Sequence, residues 1–338
     1  MASNPNGRSE LQKRLLRIGE LTKNAPSNAT NSNMLRFILI RLGQAIPILL
    51  AIYTITFFMV RAAPGGPFSQ ERKVAPHILE QQMEYYGFND PTYIQYFRTL
   101  WQHISFDFPP LTSYPGLTSK DIIQDTFPVS LELGLLAMFV SLAIGLPVGI
   151  LASAKKNSLL DYAPMSFSMI GICLPTFVIG PLLALLFGVW LGWLNISGWF
   201  SWSDRILPAL TLGLFYAAYI ARLTRGGMLE ALNMDYIRSA RAKGASETTV
   251  VLVHALRGGI MPVISFFGPA LAGLISGSFV VETIFQVPGL GRHFIQAALS
   301  RDHSLILSTV LFYAALIIIA NMIVDIVQVM LNPKLRYG

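Results

Sequence analysis

The chain has 338 residues, of which 53% are hydrophobic and 13% are charged, against roughly a quarter charged in ordinary soluble domains. This number of charged residues is too small to cover the surface of a water-exposed protein of 338 residues. Most of the exterior must therefore face lipid. The net charge of +7 is compatible with nucleic-acid binding. The basic residues cluster beside apolar segments, however, which indicates retention at the cytoplasmic face of a membrane. Cys173 is the single cysteine, which excludes an internal disulfide and a thiolate metal cluster.

The first third of the chain predicts a tail, one membrane span and a long external segment. Residues 1–33 are polar and predict a flexible cytoplasmic tail. The apolar segment 37–60 follows basic residues and is too long for a signal-peptide core, so it predicts a retained span with its start in the cytoplasm. In 61–128 acidic residues outnumber basic ones, which suits the opposite side of the membrane. Two short amphipathic helices are predicted there, Ile78–Phe88 and Thr92–Ile104.

Five further apolar segments complete the prediction of an all-α membrane protein with six spans and both termini in the cytoplasm. These later spans are about 129–153, 163–189, 207–223, 260–284 and 305–331. Gly145 and Gly149 have the spacing that lets two helices approach closely. Pro175 and Pro181 predict a kink or a break within the third span.

The longest polar interruption in the second half of the chain connects spans four and five, over about 226–259. Apolar residues recur at helical spacing up to Ala240, Gly244 interrupts the pattern, and Ser246 begins a new helix that continues to Leu256. The pattern predicts helix, glycine turn, helix. Gly244 is expected either to have a left-handed backbone or to lie at a close helix–helix approach. The alternative is a basic loop that only orients the protein in the membrane.

The residues of this loop resemble those of a known family. The loop is similar to the coupling loop of ABC-importer permeases in the sequences Tyr236-Ile237-Arg238-Ser239-Ala240-Arg241-Ala242-Lys243-Gly244 and His254-Ala255-Leu256-Arg257. Arg238 and Arg257 stand where the general pattern has Glu and Pro, which is the usual form of the peptide-importer branch. Other segments resemble the B-type permease of oligopeptide importers, among them Tyr114-Pro115-Gly116, Phe127-Pro128-Val129-Ser130 and Val281-Glu282-Thr283-Ile284-Phe285-Gln286-Val287-Pro288-Gly289-Leu290-Gly291.

The resemblance covers the chain from about Leu35 to its end. It implies the six-helix fold of type I ABC importer permeases over residues 34–338, with a large periplasmic segment between helices 1 and 2. The implied function is transport of peptides, above all oligopeptides, across the bacterial inner membrane by alternating access. The implied partners are a second homologous permease in a heterodimer, two ABC ATPase subunits and a periplasmic or lipid-anchored peptide-binding protein. The residues implied to contact the ATPase are Tyr236, Ile237, Arg238, Ala240, Arg241, Lys243 and Gly244.

Sequence motifs of catalysis are absent from the chain. It has no Gly-x-x-x-x-Gly-Lys-Ser/Thr loop, so ATP hydrolysis is assigned to partner subunits and no enzyme activity is predicted. It also has no His-Glu-x-x-His or Gly-x-Ser-x-Gly motif, so neither a catalytic residue nor a cofactor nor a metal site is predicted. Dipeptides, glutathione and nickel complexes remain alternative cargoes. An ion-coupled secondary transporter would require acidic residues at mid-membrane and matched broken helices in the two halves.

Charged residues near the ends of the spans give two further predictions. Glu132 and Glu282 lie on the external side, where they either line the outer vestibule and meet cationic peptide termini or have a structural or headgroup position. Arg41 and Asp325 each lie on the order of 10 Å inside the cytoplasmic boundary. We expect them to form an ion pair that fixes span one to span six, because an unpaired Asp at that depth is costly. The alternative partners of Asp325 are Asn321 and Gln328.

Overall fold

The computed structural model describes residues 27–63, 76–276 and 278–331, with side chains over 38–63, 80–276 and 278–328. The described residues form helices joined by turns, with one isolated β-bridge between Pro110 and Thr118. The chain divides into two units, Met1–Ile48 and Leu49–Gly338. Residues 1–26 of the predicted tail lie outside the described residues, whereas 27–33 are helical and belong to the first helix.

Fourteen α-helices are present in the described residues. Their bounds are α1 Ser27–Ala62, α2 Pro76–Tyr85, α3 Thr92–Ser105, α4 Ser119–Ala154, α5 Leu159–Cys173, α6 Thr176–Leu183, α7 Trp202–Leu232, α8 Asp235–Ala242, α9 Glu247–Thr249, α10 Leu256–Gly259, α11 Met261–Ser276, α12 Phe279–Ile284, α13 Leu290–Ser300 and α14 His303–Leu331. A π-helical turn, Ala184–Trp190, extends α6, and a second, Val250–Ala255, joins α9 to α10.

Within the described residues, five helical segments are long and apolar enough to cross a membrane. They are Ile38–Ala62, Ser119–Ala154, Trp202–Leu232, Met261–Ile284 and His303–Gln328. The pair α5 and α6 with its π-helical extension makes a sixth if it is counted as one bent span. The predicted all-helical fold is therefore confirmed for the described residues, with five or six helices that are long and apolar enough to span a membrane.

The third span is broken where its prolines predicted an interruption. α5 ends at Cys173, α6 begins at Thr176, and the two helices are bent by 108°. Pro175 lies in the break with φ −61° and ψ 145°. Proline lacks the N–H that a continuing helix would use, and its ring disfavours helical backbone in the residue before it. Leu174 accordingly has extended backbone, with ψ 121°.

Two other helices are longer than the predicted spans because polar capping residues start them early. α4 begins ten residues before the predicted 129–153, and α7 begins five residues before the predicted 207–223. In α4, Thr118 and Asp121 form a capping box, in which each side chain accepts a hydrogen bond from the other residue's backbone N–H. Ser201 and Asp204 start α7 in the same way. Such boxes satisfy the free N–H groups at a helix start.

The close packing of α4 against α7 forms the centre of the bundle. A Cβ on Gly145 would lie 2.8 Å from the carbonyl oxygen of Ala217, and a Cβ on Gly149 would lie 2.6 Å from that of Ala221. Any side chain at either position would push the two helices apart. The predicted small-residue contact face is confirmed, and it explains how α7 is held over most of its length.

Candidate functional site

The polar loop after α7 folds into the predicted helix, glycine turn, helix, and one isoleucine anchors it. α8 has eight residues, and Ile237 is buried completely. Ile237 packs with Met228 and Ala231 of α7 and with Val250 and Ala255 of the following π-helical turn. A helix of this length is marginal in isolation, so this apolar cluster is what determines the position of α8.

The remaining surface of α8 and of the turn that follows is exposed. Ala240 is half-buried, and the exposed side chains include basic, acidic and apolar residues: Asp235, Tyr236, Arg238, Arg241, Lys243, Glu247, Leu252 and Val253. An apolar patch bordered by charged residues is typical of a protein interaction site. Five of the residues predicted for ATPase coupling, Tyr236, Ile237, Arg238, Ala240 and Arg241, therefore lie on α8, and Lys243 and Gly244 follow it directly. Ile237 differs from the others, because it supports the helix from the inside.

Gly244 ends α8 with a left-handed backbone, as predicted. Its φ is +84°, its N–H donates to the carbonyl of Arg241 at 2.9 Å, and the N–H of Ala245 donates to that of Ala240 at 3.2 Å. This pair of hydrogen bonds is the Schellman arrangement, which satisfies the last carbonyls of a helix. A Cβ built on Gly244 meets nothing within 4 Å. The close helix–helix approach, offered as the alternative, is therefore not the reason for this glycine.

An ion pair across the glycine turn joins the two helical segments. Arg241 donates from Nε to one carboxylate oxygen of Glu247 at 2.8 Å and from a terminal nitrogen to the other at 3.1 Å. These hydrogen bonds lower the pKa of the Glu247 carboxyl and raise that of Arg241. Both side chains are substantially exposed, so the pair contributes little to stability. Its two parallel hydrogen bonds instead define the angle of the turn.

A second ion pair, which the sequence analysis did not predict, connects α7 to the start of α5. Arg225 donates to both carboxylate oxygens of Asp161 at 2.5 and 2.8 Å, and the Asn157 backbone N–H donates to the same carboxylate at 3.0 Å. The Asp161 side chain is 1% exposed. The sequence contained both charges, but they are 64 residues apart, and only the packing of α5 on α7 pairs them.

Glu282 is enclosed by the protein and does not face a vestibule in this structure. The side chain is 0% exposed. Its oxygens accept hydrogen bonds from the hydroxyls of Ser130 at 2.8 Å and Ser278 at 2.5 Å, and from the Arg292 N–H at 3.1 Å. Ser130 in turn accepts from the Leu290 N–H at 2.8 Å. The carboxylate thus joins α4, α12 and α13, which favours the structural alternative over contact with a peptide.

Glu132 lies in a small aromatic and cationic cluster. Arg205 donates to its carboxylate at 2.6 Å, and the Trp199 indole donates to it at 3.3 Å. The Arg205 guanidinium also lies 4.6 Å from the ring centre of Trp199 and 5.1 Å from that of Trp202. The Glu132 side chain is 38% exposed, so a pathway role for Glu132 stays a prediction.

The predicted ion pair of Arg41 and Asp325 is also untested. Arg41 is exposed on α1 within the unit Met1–Ile48, and Asp325 is half-buried on α14 within the other unit. Both residues have polar interactions in the structure. In the part of the chain that the structure describes, no three residues of the types His, Cys, Asp and Glu lie together as metal ligands would.

Comparison with known protein families identifies two matches along the chain. Residues 145–337 match the model of the binding-protein-dependent transport system inner membrane component, and residues 34–107 match that of the N-terminal part of such membrane components. The first match contains α7, the coupling-like loop and all later helices. The second contains α1 from residue 34 onward, together with α2 and α3.

Curated relatives match nearly the whole chain. It is 43% identical over 306 residues to the oligopeptide transport system permease protein OppB of Haemophilus influenzae, covering 90% of this chain and 100% of that protein. It is 44% identical to OppB of Salmonella typhimurium with the same coverage, and 37% identical to the dipeptide transport system permease protein DppB of Bacillus subtilis over 90% of this chain and 98% of that protein.

A solved structure supports the fold. The inward-facing MetNI methionine ABC transporter aligns with a TM-score of 0.55 and 18% identity, covering 62% of this chain and 96% of the matched chain. A second crystal form of the same transporter aligns with a TM-score of 0.53. Over the aligned part of the chain, the helical arrangement is therefore similar to that of the matched transporter chain.

Proposed function

Because the chain belongs to the family of binding-protein-dependent transport system inner membrane components, we propose that it is one of two membrane subunits of an ATP-driven peptide importer. The observation that carries this proposal is the anchored helix α8. Its exposed basic and apolar face has the chemistry of a docking site for another protein, and Ile237 ties it to the end of α7.

The contacts around α8 suggest how movement would pass from the docked partner to the membrane. A displacement of α8 is transmitted through the Ile237 cluster to Met228 and Ala231 on α7. α7 packs closely on α4 through Gly145 and Gly149. The Asp161–Arg225 pair connects α7 to the start of the broken third span. Rigid coupling of this kind is what alternating access requires, because whole helices must move together.

The proposed assembly follows from the family and from the charge pattern. We place both termini and α8 in the cytoplasm of a bacterium, and the segment with α2 and α3 in the periplasm, because basic residues flank the predicted cytoplasmic ends. The partners are a second homologous permease, two ATPase subunits that dock on the α8 regions, and a peptide-binding protein on the opposite side. The six-span topology requires that α5 and α6 cross the membrane together as one broken span.

The proposed cargo is peptides, with oligopeptides favoured over dipeptides. Among the relatives compared, the oligopeptide permeases have 43% to 44% identity and the Bacillus subtilis dipeptide permease has 37%. Two pairs of oppositely charged residues near the ends of the spans, Asp161–Arg225 and Glu132–Arg205, neutralise each other. A pathway with few free charges suits peptides of varied sequence, and selectivity would then reside in the binding protein.

Uptake of radiolabelled peptides by the complete complex in proteoliposomes tests this function. We expect uptake that requires the binding protein on one side of the membrane and ATP on the side where the ATPase subunits lie. This uptake should persist when all ion gradients are collapsed. A matched preparation with a catalytically inactive ATPase is the control. Peptide uptake driven by an ion gradient without ATP would refute the proposal in favour of a secondary transporter. ATP-dependent uptake of a nickel complex or glutathione, without peptide uptake, would refute only the cargo.

A further inference from the structure

Helix α3 exposes a stripe of apolar side chains on the side that faces away from the protein. The side chains on one face of this helix are exposed and mostly aromatic: Tyr93, Ile94, Phe97, Trp101 and Ile104, each between 41% and 69% exposed. At 100° per residue they fall within an arc of about 100°. Phe106, which ends the helix, is 74% exposed. A helix at the surface of a soluble domain would place such a stripe against the core.

The rest of α3 packs against the protein through apolar as well as polar side chains, and Tyr96 and Leu100 lie against the cluster of Tyr53, Phe57 and Leu307. Gln95 is 7% exposed. Its amide donates to the carbonyls of Phe88 and Asp90 at 3.0 and 2.7 Å, and its oxygen accepts from Arg61 at 2.6 Å. Arg98, on the same side, pairs with Asp90 at 2.5 Å. These hydrogen bonds satisfy the buried amide of Gln95, whereas the apolar stripe of α3 is directed outward.

The exposed stripe adjoins the end of the first membrane span. Tyr96 of α3 receives a hydrogen bond at its carbonyl from the Tyr53 hydroxyl at 2.6 Å, and its own hydroxyl lies 2.8 Å from that of Thr54. The Tyr96 ring contacts Phe57 and Phe58 at centroid distances of 5.2 and 6.1 Å. These contacts fix α3 beside residues 53–61 of α1, in the last turns before that span ends at Ala62.

The span itself presents an exposed apolar surface at the same level. Ile55, Phe58 and Met59 are 60%, 51% and 64% exposed, as residues that face lipid are. The outward stripe of α3 continues this surface, because Tyr96, which neighbours the stripe, stacks on Phe58. Tyr, Trp and Phe are also the residues enriched where the acyl chains meet the headgroups.

We propose that α3 is an interfacial helix that lies in the lipid–water boundary beside the Arg61 end of the first span. Its exposed apolar stripe enters the headgroup–acyl boundary to a depth of roughly 5–10 Å. Its other side packs on the first span through Tyr96 and contributes Gln95 and Arg98 to the 450 Å³ cavity that Arg61, Glu84 and His303 also line. The partner is the lipid surface itself. This inference requires only that the chain spans a membrane and is independent of the cargo.

Site-directed fluorescence on the assembled importer tests the proposal. Cys173 is replaced by serine, and single cysteines are introduced by Phe97→Cys or Trp101→Cys on the apolar face. Asn89→Cys, in the exposed turn before α3, is the matched control. Each is labelled with an environment-sensitive fluorophore and reconstituted into nanodiscs. Quenching is measured with lipids brominated in the upper acyl chain and with aqueous iodide, and retained ATPase activity verifies assembly.

We expect bromolipid to quench the label at 97 and 101 at least roughly twofold more than at 89, and iodide to quench it less. Strong iodide quenching at 97 and 101 without lipid quenching would overturn the proposal, because the face would then lie in water. Shielding from both quenchers would also overturn it, because another protein would then cover the helix. Shielding that arises only on addition of the binding protein would identify that protein as the partner and contradict the lipid assignment.

Discussion

The backbone of Gly244 makes the most direct test of the coupling loop. Its φ of +84° costs a residue with a Cβ about 1–2 kcal/mol, and the absence of any atom within 4 Å of a built Cβ means that no steric clash adds to this cost. Gly244→Ala therefore changes backbone energy alone. A penalty of this size shifts the folded-loop population by about 5–30-fold.

Gly226 provides a matched control for this substitution. It lies inside α7, it is exposed, and a Cβ there also meets nothing within 4 Å. Gly226→Ala should be neutral or stabilising by up to about 1 kcal/mol, because alanine is the better helix former. Gly244→Asn should retain more function than Gly244→Ala, since asparagine tolerates the left-handed region, and Gly244→Val should retain least.

The assays are ATPase-subunit retention in detergent and the number of peptides transported per ATP hydrolysed. We expect normal membrane insertion for every variant, with retention or coupling decreasing in the order Gly, Asn, Ala, Val at position 244. Hydrogen exchange over 235–256 should rise in the same order. If Gly244→Val assembled and transported like the wild type, α8 would not be the coupling element. If Gly226→Ala were as damaging as Gly244→Ala, the effect would not arise from backbone strain.

Three further outcomes are expected. Arg225→Ala should destabilise the subunit by about 1–3 kcal/mol, and more than Asp161→Asn, because it leaves the buried Asp161 carboxylate without its cation; equal melting temperatures would contradict this. Glu282→Gln should reduce uptake of basic and acidic peptides equally, because the new amide NH₂ is itself a donor and would face hydroxyl or N–H donors, which disturbs the packing around position 282. A loss confined to basic peptides would instead support contact between Glu282 and the peptide. Burial lowers the pKa of His103 in the folded state. The unfolded state therefore binds a proton at this residue more readily. The free energy of unfolding should be constant above about pH 6.5 and should decrease below it. His103→Gln should flatten that decline in a series of melting temperatures, and an unchanged pH profile would exclude His103 as its cause.

The sequence is sufficient to predict local structure where the covalent chemistry of a single residue decides the backbone conformation. Gly244 in a left-handed turn and the break at Pro175 both follow from what those residues can or cannot adopt. The spacing of Gly145 and Gly149 likewise predicted a contact face, because only a missing side chain lets backbones approach. The spans themselves followed from the length of the apolar segments. The start of α4 was predicted ten residues late, because the capping box at Thr118 was not recognised.

The partners of the charged residues could be decided only by the tertiary structure. A carboxylate's sequence position does not say whether it faces water, a serine hydroxyl or an arginine 64 residues away, as Asp161 does. Glu282 and Glu132 have similar places in the sequence pattern, yet one is enclosed by Ser130 and Ser278 and the other pairs with Arg205. The amphipathic period of α3 was evident from the sequence as well. Which of its faces packs on the protein is decided by contacts with distant residues, of Tyr96 and Leu100 with Tyr53 and Phe57 and of Gln95 with Arg61, and these contacts exist only in the assembled helices.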